Sequence, residues 1–256
     1  MLHRPRPQQL RALLLVGAVL ALGACSSANG PDPWREGWNE PVHNFNESFD
    51  KRLLEPVAKG YDTVTPGVFQ IAIGNFFENL TMPRTFLNDV LQARPVKAAH
   101  DLQRLLLNTV AGVGGLIDVA SMTGRIPKNE EDFGQTLGRW GVGPGPYFVL
   151  PLAGPNNVRD TLASPVDIAT NPTTWVNVFG VSVVRVVNTR AKYLEEVAQG
   201  RKDAVDYYVF VRDAYLSSRE AAVRDGKSAP AASDEDLYEL EEDEAEGAAT
   251  DDAQPQ

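Results

Sequence analysis

The residue types that most often carry out enzyme chemistry are sparse in this chain and lie far apart. Its three histidines are His3, His43 and His100, and none belongs to an HExxH motif or to another metal-binding spacing. The chain also lacks a GxSxG sequence, so it has no nucleophile of the common lipase type. We therefore predict no catalytic residue, no metal site and no cofactor. We interpret four scattered carboxylates as helix caps or members of surface ion pairs: Asp89, Asp101, Asp118 and Asp160.

Cys25 is the only cysteine, and its position gives it a different chemistry. It follows a positively charged segment and the apolar run ALLLVGAVLALGA. At 13 residues the run is shorter than the roughly 20 that a spanning helix needs, and it is typical of a secretory signal. The sequence LGAC at its end resembles the lipobox of bacterial lipoproteins, in which the cysteine is acylated and the signal is cut before it.

We predict that residues 1–24 are a lipoprotein signal peptide and that Cys25 is the lipidation site. The alternative is a lone buried thiol in an ordinary secreted protein. A single cysteine can form no intramolecular disulfide, and this one stands where acylation would occur. Several acyl chains hold a protein firmly on a membrane. Ser26 resembles the residue found in lipoproteins that are released to the outer membrane, and residues 25–31 are expected to be a linker.

The opposite end of the chain, residues 226–256, is predicted to be a disordered acidic tail. From Ser228 onward it contains eleven Asp or Glu residues and neither Lys nor Arg. The net charge of the whole chain is −10, so most of the negative charge lies in this tail and the body is close to neutral. A near-neutral body offers no basic surface for nucleic acid.

Between these ends the apolar residues recur at helical spacing, in segments punctuated by proline. A stripe over residues 38–53 predicts a first helix that stops near Pro56. Further helices are expected to start after Pro66, at Pro83 and at Pro95, where proline suits the first helical turn.

The second half of the chain also reads as helical. Short helices are expected at Asn156–Leu162 and from Pro172 onward, followed by two longer ones at Val183–Val197 and Asp203–Arg224. Only a short piece at Pro146–Leu152 reads as extended chain. The fold class predicted for the body is therefore all-α.

The stretch Asp132–Pro155 contains six glycines and four prolines among large apolar side chains. Ordinary loops are polar, since exposed backbone favours water. Two interpretations stay open for this apolar loop: it caps a hydrophobic core, or it forms a shaped apolar surface for lipid.

Long motifs in this chain resemble the VacJ/MlaA family of outer-membrane lipoproteins. One departure lies near the first motif, where Arg35 looks like an insertion and Trp38 stands in place of Phe. Matching segments include DPWREGWNEPVHNFNESFD (Asp32–Asp50), NFFENLTMPRTFLNDVLQ (Asn75–Gln92), DFGQTLGRWGVGPGPYFVLPLAGPNNVRD (Asp132–Asp160) and YVFVRDAYLSSR (Tyr208–Arg219).

The resemblance implies a ring-shaped, single helical domain over residues 32–225, embedded on the periplasmic side of the outer membrane. It implies an amphipathic conduit that removes mislocalised phospholipids from the outer leaflet. The implied partners are phospholipids, a trimeric outer-membrane porin and a periplasmic phospholipid-carrier protein of the Mla type. An alternative is a structural lipoprotein that docks to porins or envelope and moves no lipid, because the same apolar surfaces suit a protein interface.

Position within the family motifs also suggests site residues. The lipid-path candidates are Phe76, Phe77, Leu80, Phe86, Leu87, Tyr147, Phe148 and Leu150. The candidates for ring closure or for a hinge are Asn44, Phe45, Gly141, Gly143 and Gly145.

Cys25→Ala is expected to block both lipidation and cleavage at this site, because the thiol is the acylation point. Incorporation of labelled fatty acid in cells measures the first effect, and the mass of the N-terminal peptide measures the second. Undiminished labelling of the variant would contradict the assignment.

Overall fold

The computed structural model describes residues 32–124, 126–175 and 180–225, which are mainly helical. The helices are α1 Glu40–Phe49, α2 Glu55–Val64, α3 Gly67–Leu91, α4 Pro95–Val110, α5 Val119–Met122, α6 Phe133–Arg139, α7 Val158–Thr170, α8 Pro172–Trp175, α9 Val181–Lys192, α10 Leu194–Asp203 and α11 Tyr207–Val223. Strands β1 Tyr147–Leu150 and β2 Gly154–Asn157 form an antiparallel hairpin. The all-α prediction is confirmed. The signal segment, Cys25 and the acidic tail lie outside the described residues, and the predictions for them stay predictions.

The first helical run covers residues 35–64 and does not stop near Pro56, so that prediction is wrong. Two π-helical turns, Arg35–Asn39 and Asp50–Leu54, precede α1 and α2, so the chain stays helical through both prolines, Pro41 and Pro56. In each case the residue just before the proline donates its N–H five residues back. The wider turn relieves the clash that a proline ring makes with a regular helix.

Pro83 does not begin a helix either. It lies inside α3, which runs unbroken for 25 residues. An internal proline removes one backbone hydrogen bond and costs about 3 kcal/mol. Packing of α3 along α4 offsets this cost, and sequence spacing alone could not reveal it. The prediction for α4 is confirmed, with Pro95 in its first turn.

Several boundaries in the second half also differ from the predictions. The helix expected at Val183–Val197 is two helices, since Tyr193 leaves helical geometry between α9 and α10. The last helix starts at Tyr207 rather than Asp203, because the side chain of Asp206 caps it by accepting the N–H of Val209 at 3.1 Å. The extended piece at Pro146–Leu152 is confirmed by β1.

One helix was missed from the sequence, and another is longer than predicted. Helix α6 lies within the glycine-rich stretch and starts where Asp132 accepts the backbone N–H of Gln135 at 2.8 Å. Helix α7 extends well beyond Leu162, to Thr170, with Pro165 inside it.

The interior of the described residues is unusually polar. Tyr147, Val149 and Tyr208 form the hydrophobic cluster at the hairpin, with Val42 and Tyr215 packed against it. The largest fully buried side chains are Val149, Asn39, Asn88, Asn157, Thr85, Thr136, Asp89 and Asp101. Many large apolar side chains are therefore left on the outside. Even so, no helix in the described part of the chain is both long enough and apolar enough to cross a bilayer.

One buried contact joins two carboxyl groups, Asp89 on α3 and Asp101 on α4, neither of which is exposed to solvent. Asn129 donates to Asp89, and Arg94 lies 3.5 Å from it. Burial raises the pKa of Asp101 to about 8, and the adjacent Asp89 adds to the rise. Asp101 therefore keeps a proton at neutral pH, and that proton can bridge the two carboxyl groups.

Asp101→Asn should flatten the dependence of stability on pH. An aspartate in the unfolded chain has a pKa near 3.8, so between about 4 and 8 the native state holds one more proton than the unfolded state. Stability contributed by this proton is complete below about 4 and is lost as pH rises through 8. Asparagine keeps the amide donor at every pH, so its melting midpoint should exceed that of the wild type at pH 9 by more than at pH 5. Asp213→Asn, at an exposed position on α11, is the control. A constant difference at all pH values would contradict the shared proton.

Candidate functional site

An apolar cavity of about 750 Å³ opens between the first helical run, the hairpin and α9. Its volume lies within the roughly 300–1,000 Å³ of typical ligand pockets. The residues that line it are Asn46, Phe49, Asp50, Leu53, Leu54, Val57, Leu152, Ala153, Gly154, Ser182, Val183, Val186 and Val187.

Helical spacing brings these side chains together. Phe49, Leu53 and Val57 recur every four residues along the first helical run, and Val183 and Val186 repeat on α9. All five are exposed, with 63% of Val183 accessible, because nothing among the described residues covers the cavity. Such an apolar surface is suited to an apolar ligand.

Two asparagine side chains attach the hairpin to the first helical run. Asn39 accepts the N–H of Val149 at 2.9 Å and donates to the carbonyl oxygen of Tyr147 at 3.3 Å. Seven residues later on the same helical face, Asn46 makes an equivalent pair of bonds at the hairpin tip. It accepts the N–H of Leu152 at 2.7 Å and donates to the carbonyl oxygen of Leu150 at 2.9 Å.

Trp38 adds a third attachment, since its indole N–H donates to the carbonyl oxygen of Val149 at 2.9 Å. Sequence reasoning missed the role of Asn39, Asn46 and Trp38. The NFN motif contained the signal, but our prediction chose Asn44 and Phe45, which are both exposed. The partners of Asn46 lie more than 100 positions away, so spacing could not identify them.

The tip of the hairpin borders the cavity in a strained conformation. Leu152 has a φ of 61°, a backbone geometry that costs a residue with a side chain about 1–3 kcal/mol. Its side chain is 64% exposed and lines the cavity. The bonds from Asn46 to the backbone therefore hold this strained tip, and with it an exposed apolar side chain, at the cavity edge.

A cluster of five charged side chains lies beside the apolar lining. Arg190 contacts Asp50 at 2.8 Å, and Arg201 contacts Glu47 at 2.7 Å and Glu55 at 2.6 Å. The π-helical turn Asp50–Leu54 begins with Asp50 and lies between Glu47 and Glu55 in the chain. Burial acts to raise the pKa of Asp50, but hydrogen bonds from Arg190 and Arg201 outweigh it and hold that pKa below its usual value. Asp50 is thus the one charged residue among those that line this mainly apolar cavity.

The lipid-path candidates chosen from the sequence lie elsewhere. Phe77 is buried beside Phe76, with ring centroids 5.5 Å apart, and Tyr147 belongs to the core cluster. Phe148 packs against Trp34 at 6.2 Å. None of the eight lines the 750 Å³ cavity. Contact with lipid stays a prediction for all eight candidates, which also include Leu80, Phe86, Leu87 and Leu150.

The hinge candidates differ among themselves. Gly141 and Gly145 have φ values of 91° and 69°, which favour glycine. Gly143 is not among the glycines with a positive φ, so its backbone conformation does not require glycine. The hinge role itself stays a prediction.

Within the described ranges, no group of three or more His, Cys, Asp or Glu residues is arranged to hold a metal ion. His43 is buried between Tyr207 and Tyr208, with ring centroids 5.6 and 5.4 Å away. Burial lowers its pKa. This histidine is therefore a neutral packing residue at neutral pH.

The chain matches the family model described as "MlaA lipoprotein" over residues 30–222. It is 33% identical over 232 residues to a Haemophilus influenzae protein named "Intermembrane phospholipid transport system lipoprotein MlaA", covering 85% of this chain and 91% of that protein. The Escherichia coli protein of the same name is 32% identical over 226 residues, covering 85% and 90%. A Rickettsia felis protein of unassigned function is 37% identical over 198 residues, covering 75% and 78%.

One solved structure is also similar. Its TM-score is 0.68 at 33% sequence identity, and the match covers 76% of this chain and 100% of that chain. It comes from work on the "structural basis for maintenance of bacterial outer membrane lipid asymmetry". Similarity at this level extends over nearly all the described residues.

Asn46→Ala should release the hairpin tip while leaving the core intact. Two hydrogen bonds disappear, each worth about 0.5–1.5 kcal/mol, at a position that water can reach. We expect faster amide hydrogen exchange at Leu152, with unchanged protection at Val149, which Asn39 still holds. Asn44→Ala, at an exposed position two residues away, is the matched control. Equal exchange at Leu152 in both variants would show that Asn46 does not hold the tip.

Proposed function

Because the chain belongs to the MlaA lipoprotein family, we propose that it removes mislocalised phospholipids from the outer leaflet of the outer membrane and so maintains lipid asymmetry. Two relatives are named for intermembrane phospholipid transport, and the similar structure concerns lipid asymmetry. In this proposal Cys25 anchors the chain, residues 25–31 are a linker, residues 32–225 are the transport domain and residues 226–256 form an acidic tail.

The observation that carries the proposal is the composition of the 750 Å³ cavity. Valine and leucine side chains from α9 and the first helical run suit acyl chains. Asp50, which is held by Arg190 and Arg201, supplies a charged group at the same cavity. A phospholipid needs both environments, because burying its charged head group in apolar surroundings is costly.

The outer surface supports a position in the membrane. Large apolar side chains on α3 and α4 remain exposed, although the protein interior is rich in polar groups. They include Val68, Phe69, Ile71, Val96, Leu106 and Val110. Apolar surface of this extent is stabilised by contact with lipid or with another protein.

Lipid transfer along such a path would break no covalent bond. The protein's contribution would be shape and polarity, with apolar contacts for the chains and charged groups for the head group. The hairpin tip, held by Asn46 and carrying Leu152, would limit access to the cavity. This agrees with a role that needs no catalytic residue.

We further propose that the chain docks beside a trimeric outer-membrane porin and delivers phospholipid to a periplasmic carrier of the Mla type. The exposed apolar side chains on α3 and α4 suit a porin surface as well as they suit lipid. That observation also favours the second candidate function, a structural lipoprotein that docks to porins and transfers no lipid.

Site-specific photocrosslinking from Val183 tests the proposal. We expect a photoreactive amino acid at this cavity position to capture radiolabelled phospholipid in intact cells. The same substitution at Val205, which is fully exposed before α11 and does not line the cavity, is the matched control. Positions 77 and 87 would test the candidates chosen from sequence.

Three outcomes separate the candidates. Lipid capture at Val183 well above that at Val205 supports transport. Capture of porin at Val183 without lipid favours the structural lipoprotein. Equal lipid capture at both positions would mean that the cavity holds no lipid in preference to the rest of the surface.

A further inference from the structure

The start of the first helical run presents an apolar surface to the outside. Five exposed side chains recur there at steps of four, three, four and four positions, which places them on one side of the helix. The backbone N–H of Trp38 donates to the carbonyl oxygen of Trp34 at 3.0 Å, so these two residues lie one turn apart. We call this set the outer face, and its members are Trp34, Trp38, Pro41, Phe45 and Phe49.

Polar side chains occupy the side of the same helix that faces the protein. Asn39 and His43 are buried. Asn46 holds the tip of the hairpin, and Asp50 pairs with Arg190 at 2.8 Å. A surface helix of a protein in water has the reverse arrangement, with apolar residues toward the core and polar residues outside. The outer face is therefore suited to a partner other than water.

Charge is also absent from the outward side of this stretch. Between positions 37 and 49 no exposed residue is charged. The two glutamates in that interval, Glu40 and Glu47, form ion pairs with arginines at 3.2 and 2.7 Å. At 1.5 Å per residue the interval is about 20 Å long, and contact with acyl chains along it desolvates no exposed charge. Exposed charges resume beyond its two ends, at Glu36, Lys51 and Arg52.

The chain before Asp32 limits how far the outer face can lie from a membrane. Cys25, the predicted lipidation site, precedes Asp32 by seven residues, and a chain of that length spans at most about 25 Å. Asp32 is itself fixed to the body, since its carboxylate accepts hydrogen bonds from the amide of Asn39 at 2.9 Å and from the hydroxyl of Tyr208. The outer face begins two residues after Asp32. It therefore stays close to the leaflet that holds the acyl chains of Cys25.

The two tryptophans of the outer face suit the boundary between acyl chains and water. Tryptophan is enriched at this boundary, because it combines a large apolar ring with one polar N–H group. Trp38 donates its indole N–H to the carbonyl oxygen of Val149 at 2.9 Å, so the part of it that remains exposed is apolar ring surface. Trp34 is 43% exposed and packs against Phe148, and its indole N–H donates to no residue in the described ranges. That N–H is available to an oxygen of a lipid head group.

We infer that the outer face lies along the bilayer, at the boundary between acyl chains and head groups of the leaflet that holds Cys25. Helices with one apolar side bind membranes in this way, parallel to the surface. The inference rests on the proposed function for the anchor at Cys25, and it assigns membrane contact to a part of the molecule other than α3 and α4. Because Phe49 belongs to the outer face and also lines the apolar cavity, this surface leads from the anchor to the cavity.

Spin labelling of the full-length lipoprotein in vesicles of phosphatidylethanolamine and phosphatidylglycerol tests the inference. Acylation of Cys25, the only cysteine, leaves one introduced thiol to carry a nitroxide. Phe45→Cys reports on the outer face. Glu36→Cys, at an exposed charged position on another side of the same helical run, is the matched control. We expect the ratio of collisions with oxygen to collisions with a polar nickel complex to be about tenfold higher at position 45, since acyl chains dissolve oxygen and exclude the complex.

Tryptophan fluorescence provides a second measurement that needs no label. Vesicles whose acyl chains carry bromine near the head groups quench tryptophans that touch lipid. Trp34→Phe should lower the quenched share of the emission, and phenylalanine keeps an aromatic ring against Phe148. A melting midpoint equal to that of the wild type shows that the variant is folded. An unchanged quenched share would mean that Trp34 does not touch lipid.

The outcomes separate this inference from the proposed function. Equal collision ratios at positions 45 and 36 would show that the outer face meets water, and infrequent collisions of both kinds at position 45 would show that protein covers it. Either result overturns the inference. Nitroxide uptake by the wild type would also overturn it, since Cys25 would then be a free thiol. Lipid capture at Val183 together with a water-exposed label at position 45 refutes the membrane placement alone. A lipid-exposed label without capture at Val183 supports the placement and refutes transport.

Discussion

The arrangement of this protein depends on how the exposed edge of a two-stranded hairpin finds hydrogen-bond partners. A lone hairpin is marginally stable and leaves backbone groups unpaired along its edges. Here a helix takes the place of a third strand, because the amides of Asn39 and Asn46 each offer one donor and one acceptor to the backbone of β1 and of the turn that follows it. This pairing fixes the hairpin against the first helical run, and the cavity is the space left between them and α9.

Polar side chains occupy much of the interior of this protein, and apolar side chains occupy much of its surface. Asparagine, threonine and aspartate account for most of the largest fully buried side chains, and hydrogen bonds satisfy most of them. Valine, leucine and phenylalanine cover much of the outside. In water such an arrangement would forgo much of the hydrophobic stabilisation that usually drives folding. A surrounding of acyl chains removes that disadvantage, since apolar side chains then lose nothing by facing outward. Buried hydrogen bonds, by contrast, keep the interior specific in either solvent.

Local signals in the sequence were enough for some elements and not for others. Pro95 marked the start of α4, and the residues after Pro146 read as extended chain, because both depend on nearby residues. Pro56 and Pro83 led to wrong predictions of helix boundaries. A π turn lets the helix continue through Pro56, and packing on a neighbouring helix lets it continue through Pro83. The apolar stripe of Phe49 and Leu53 was recognised as a helix face. What lies opposite that face, and which asparagines attach the hairpin, depends on contacts across more than 100 residues.

The two π-helical turns impose a restriction on the length of the first helical run. A π turn holds one residue more than the α-helical turn that could replace it. Losing a residue from Asp50–Leu54 would convert the turn into regular helix, and both sides would keep about the same relative orientation because each version completes one turn. Pro56 would then lie inside a regular α-helix, where its ring clashes with the carbonyl oxygen four residues back. The extra residue of the turn and the proline that follows it should consequently be kept or lost together during evolution.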